Sequence, residues 1–160
     1  MIRRMLLLAA AVAFAASAQK SGGVAYSGPT PPQPDLPYLK HASNLLATEA
    51  VDVQEEKKKD AITYVIAGAS SSVRTPLAAP IFLLQSDKIA PGKLGLYKLE
   101  SKNGRREIVA SPRKPLEAIR IVVTHLRGNL YKIEVDDGLE PGEYSLSPEG
   151  TNRAFCFQVF

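Results

Sequence analysis

Side-chain catalysis needs a nucleophile beside a base, or a cluster of groups that holds a metal, and few residues of this chain qualify. There are two histidines, His41 and His125, and one cysteine, Cys156. Cys156 with His125 is the one conceivable Cys–His pair. Cys156 lies between Phe155 and Phe157, which predicts a buried and inert thiol, since free cysteine packs as a small hydrophobe. His125 stands near Gly128-Asn129 and is expected at an exposed strand end, facing Lys132. The chain has no HExxH, no CxxC and no Walker A loop. Gly68-Ala69-Ser70-Ser71-Ser72 lacks the second glycine of a serine elbow. No catalytic residue and no cofactor are therefore assigned. A small hydrolase would need His41 or His125 beside a nucleophile in a pocket.

Carboxylates and bases offer more. From Glu134 to Glu149 the chain holds acids and no Lys or Arg. Asp136, Asp137 and Glu140 around Gly138 are candidate hard-oxygen ligands for Ca²⁺, although their spacing matches no EF-hand loop. The absence of tryptophan leaves a sugar-stacking platform poorly supplied. From Lys98 to Arg120 bases dominate: Lys98, Lys102, Arg105, Arg106, Arg113, Lys114 and Arg120 against Glu100, Glu107 and Glu117. The first six of these bases are candidates for contact with a protein partner or an anionic envelope surface. A plain solvated strand edge, charged against aggregation, reads the same way.

The elements that must position these residues are short. Ala61–Ala67, Ile81–Leu84, Leu94–Glu100, Ile119–Leu126, Leu130–Val135 and Ala154–Phe160 are β-branched, aromatic or alternating, and Gly and Pro separate them. A further strand is expected at about 46–55, and the charged run Glu55–Asp60 as a hairpin tip. Asn103-Gly104 suits a type I′ turn, placing Lys102 opposite Arg105, Leu99 opposite Ile108 and Tyr97 opposite Ala110. A turn at Gly128-Asn129 would place Leu126 opposite Tyr131 and Thr124 opposite Ile133. In the last strand Phe155, Phe157 and Val159 share a face. Eight or nine short strands at this spacing predict an all-β fold, a single antiparallel β-sandwich.

The N-terminus speaks to destination. Arg3-Arg4, an apolar run to Ala16 and the triplet Ala16-Ser17-Ala18 follow the plan of a cleaved signal peptide, with Gln19 beginning the mature chain. The apolar run is too short to span a bilayer, and no later run reaches spanning length, so the expected product is periplasmic or extracellular. Residues 19–39, rich in Pro and Gly, read as a tether, and residues 40–160 as the domain. One cysteine cannot form an internal disulfide. The formal charge of +4 falls when Arg3 and Arg4 leave, which argues against nucleic acid as a partner.

Leu139-Glu140-Pro141-Gly142-Glu143-Tyr144-Ser145-Leu146 resembles the closing hairpin of carboxypeptidase-regulatory-like and related Ig-like bacterial modules. Lys57–Phe160, with Asn103-Gly104-Arg105-Arg106-Glu107 and Glu143–Pro148, also resembles a set of uncharacterised secreted bacterial proteins. Both resemblances imply an Ig-like sandwich with a binding or scaffolding role and no catalytic residue. The expected function is a non-enzymatic secreted or envelope module that binds a protein or surface partner. A Ca²⁺-binding or small-ligand (carbohydrate-type) domain is the alternative.

Overall fold

A computed structural model describes residues 25–160. The apolar and β-branched runs form strands that pack as two layers. The strands are β1 (Tyr38–His41), β2 (Asn44–Ala47), β3 (Glu49–Asp52), β4 (Gln54–Lys58), β5 (Ala61–Ala67), β6 (Arg74–Thr75), β7 (Ile81–Gln85), β8 (Leu94–Lys102), β9 (Arg105–Ala110), β10 (Ile121–Arg127), β11 (Leu130–Val135), β12 (Gly142–Pro148) and β13 (Arg153–Val159). One sheet runs β10-β11-β7-β1-β2. The other runs β3-β13-β12-β8-β9-β5-β4, with β6 parallel to β13. The fold is the expected all-β sandwich. It has more strands than expected because single runs divide: residues 46–55 break at Thr48 and Val53 into β2, β3 and β4.

Alternation builds the core between the layers. Leu94 and Leu96 of β8, Tyr144 and Leu146 of β12, and Phe155, Phe157 and Val159 of β13 all point inward. They meet Leu39, Phe82, Leu84, Ile133 and Val135 of the smaller sheet. Phe157 is the junction: Phe82 meets it edge-on at 5.0 Å and Tyr144 stacks on it at 5.7 Å. The chain changes layer at buried Thr48, whose amide and hydroxyl both donate to the Pro37 carbonyl, at 3.1 and 2.7 Å.

Two expected registers are corrected. In the Asn103-Gly104 hairpin Lys102 faces Arg105 and Glu100 faces Glu107, but the ladder stops there. Toward its start β8 instead meets Ile119 at Leu96, so Tyr97 does not pair with Ala110. Between β10 and β11 a β-bulge at His125/Arg127 shifts the register, and His125 faces Tyr131 rather than Lys132. The charged run is not a tip. Gln54–Lys58 is an edge strand, and the turn lies at Lys59-Asp60, where Lys59 takes φ 50°.

Cleavage after Ala18 and the first part of the 19–39 tether lie outside the described residues. From Pro29 onward the proline-rich segment lies against the domain. Pro31 and Pro37 are buried, and Leu36 packs on the core. One Asp35 carboxylate oxygen accepts the amides of Asp87, Lys88 and Ile89 at 3.0, 2.8 and 3.0 Å.

Candidate functional site

The larger sheet curls. Its first strand in spatial order, β3, and its last, β4, are consecutive in the chain and joined through Val53 alone. The two ends of the sheet therefore meet at that residue, whose amide donates to Asn152 O at 2.7 Å. Curling gives the sheet an inner face turned away from the sandwich core. On it Ile66, Leu99, Ala154 and Cys156 form a second, smaller core, packed by Val51, Val53 and Ile108.

One end of this inner face is plugged by charge. Arg106 of β9 is fully buried. Its guanidinium donates to both oxygens of Glu49 on β3, at 2.8 and 3.1 Å, and to the carbonyls of Gly68 and Ala67, at 3.1 and 2.8 Å. Glu143 of β12 lies 3.9 Å away and accepts the Ser70 hydroxyl at 2.8 Å and the Ser71 amide at 2.9 Å. Burial pushes Glu49 upward, but hydrogen bonds from Arg106 and Ser71 and the Arg106 charge outweigh it, so its carboxyl stays below its ordinary value. Arg106 thus ties β9 to β3 across the curl and fastens the serine-rich loop over it.

The other end is open. A groove of about 250 Å³ is floored by Tyr97 and Leu99 of β8, Tyr64 and Ile66 of β5, and Ile108 of β9. Ser145 and Ser147 of β12 supply hydroxyls, and Lys93, Glu149, Arg153 and Glu55 stand at the rim. Gly95 shapes the floor: a Cβ there would lie 2.6 Å from the Tyr97 ring, so glycine lets that ring lie flat along its own strand.

The residues singled out in the sequence are dispersed. Arg106 is buried and leaves the surface, so it cannot contact an envelope partner. Arg105 is held by Glu56 at 2.7 Å and Glu107 at 2.9 Å, and Lys98 by Glu140 at 2.8 Å. Lys102, Arg113 and Lys114 are exposed and form no ion pair among the described residues. Asp136 pairs with Arg120 at 3.1 Å and Asp137 is exposed. Among the described residues no three metal-ligating side chains come together, Asp136, Asp137 and Glu140 included. His125, on the smaller sheet, bonds Gly128 O at 2.8 Å, and His41 bonds Thr75 at 3.0 Å. Cys156 lies on the inner face of the other layer, and burial pushes its thiol up to about 12, so no Cys–His dyad forms.

Sequence reasoning missed both the groove and the buried Arg106. One signal was present: Arg106 stands two residues before Ile108, in phase with the apolar face of its strand. Compared with known proteins, the chain matches no family model, no curated sequence and no solved structure.

Proposed function

We propose that this chain is a non-enzymatic, exported binding module that takes an apolar side chain of a protein partner into the groove of its curled sheet. The observation that carries this reading is the groove itself, an apolar floor ringed by hydroxyls and charges of both signs. Protein interfaces concentrate their affinity in such apolar sockets behind a polar rim. Its volume of about 250 Å³ lies below the roughly 300–1,000 Å³ of sites for drug-sized ligands. That favours an anchor residue over an oligosaccharide. The groove lining contains neither histidine nor cysteine. Export rests on the signal-like start of the sequence.

The test fills the socket. Ser147→Trp places an indole on the groove floor without touching the sandwich core. Partners captured from the envelope and culture fluid by the wild-type protein should be lost by this variant, with its thermal unfolding little changed. Capture of the same partner by the folded variant would sink the reading. A small apolar molecule found bound in native mass spectra, and absent from Ser147→Trp, would instead assign the groove to a free ligand.

A further inference from the structure

β4 ends the larger sheet, and among the described residues no strand lies against its outer edge. Its pairing with β5 fixes which backbone groups face outward. Lys58 opposes Ala61 across the two-residue turn, and Glu56 opposes Thr63. In an antiparallel ladder these alternate residues direct both amide and carbonyl to the partner strand, and the residues between direct them away. Val53 confirms the phase, since its amide points outward to Asn152. The outward groups of Glu55 and Lys57 have no ladder partner.

The side chains on this edge have a matching symmetry. Glu55, Glu56 and Lys57 place an acid and a base on either side of a central residue. A two-fold axis through Glu56, perpendicular to the sheet, sets Glu55 of one copy against Lys57 of the second, and Lys57 against Glu55. All four outward-facing residues then exchange backbone hydrogen bonds, and both cross-strand pairs are of opposite charge. Sliding the register by two either way centres Glu55 on Glu55 or Lys57 on Lys57, which sets like charges at the axis. In the favoured register the two central Glu56 carboxylates are each paired with their own Arg105, at 2.7 and 3.2 Å. Within one copy Glu55 and Lys57 are only 3.7 Å apart and well exposed, so they are free to exchange partners.

We infer that β4 is a self-pairing edge, and that two copies join through it into a two-fold dimer with one continuous sheet. The surface is isologous. The two-fold leaves both grooves on the same side of the joined sheet, because β4 supplies Val53 and Glu55 to each. This inference stands on the edge geometry and does not require the groove to bind anything.

Sedimentation velocity at low salt, over protein concentrations up to about 1 mM, tests it, since the weakest specific contacts fall in that range. The wild-type protein should show a concentration-dependent monomer–dimer equilibrium that weakens with added salt. Glu55→Lys or Lys57→Glu alone should weaken it at least about tenfold, because both symmetric pairs become like-charged. Mixing these two variants should restore association as a 1:1 heterodimer. Lys57→Pro, which removes an outward amide and leaves the β5 ladder intact, should leave only monomer. A monomeric wild type, charge variants that dimerise like the wild type, or a mixture that stays monomeric would each overturn the inference. All three substitutions lie at exposed edge positions, and far-UV circular dichroism checks that each variant is folded.

Discussion

Arg106 is where a single side chain matters most. It sits fully buried with two backbone carbonyls and two carboxylates around it. A buried pair is not a strong net stabiliser, since desolvation offsets its attraction, but removing one partner strands the other. Arg106→Ala should therefore destabilise the protein by about 3–5 kcal/mol in urea unfolding, as Glu49 and Glu143 lose their counter-charge together. Glu49→Gln should cost less, because an amide oxygen still accepts one hydrogen bond. Cys156 provides a second test. With its thiol pushed up to about 12 by burial, it should resist a thiol reagent at pH 8 in the native protein and react promptly in denaturant. The burial of Cys156 was legible from its place among alternating aromatics. That of Arg106 was not, because six bases in seventeen residues read as a wet surface, and only a fold brings Glu49 from far along the chain to meet one of them.

At the scale of the element, turn chemistry was the most readable part of the sequence, and what happens away from the turn the least. Asn103-Gly104 set Lys102 against Arg105 as expected, because positive φ at both residues (53° and 74°) is local chemistry. Gly104→Ala should cost about 1 kcal/mol, measurable as a modest fall in melting temperature. Beyond Glu100 the edge of β8 that β9 leaves is taken at Leu96 by Ile119, while β12 holds the opposite edge, and no local pattern shows that. The bulge in β10 is likewise invisible to a period-two reading, since one extra residue reverses every later side chain. Gly95 offers a test that separates stability from binding. In Gly95→Ala the new methyl displaces the Tyr97 ring from the groove floor. Partner capture should fall, while the sandwich core on the opposite face of β8 keeps the melting temperature nearly unchanged.

Across the whole molecule, two carboxylates hold distant segments together, and acid should release both. Burial raises Asp35, but the amides of Ile89, Lys88 and Asp87 and the Lys88 charge outweigh it, leaving it below its ordinary value; Glu49 is lowered in the same way by Arg106. A carboxyl whose folded pKa is depressed contributes stability above its unfolded pKa, and that contribution disappears as pH falls through the folded value. Unfolding free energy should thus be flat above about pH 5 and decline below it. Asp35→Asn and Glu49→Gln should each reduce the slope of that decline in urea titrations at stepped pH. The two-layer architecture was legible because strand period and Gly/Pro spacing report it directly. The curl was not, since it depends on β3 and β4, neighbours in sequence, being carried to opposite ends of one sheet.

β13 has a consequence for the order of events in folding. It lies inside the larger sheet, touching β12, β3 and β6, and supplies Phe155 and Phe157 to one core and Cys156 to the other. Yet it follows every strand it holds together. A chain emerging N-terminus first completes neither core until this segment arrives, and its long-range pairings make that last step slow.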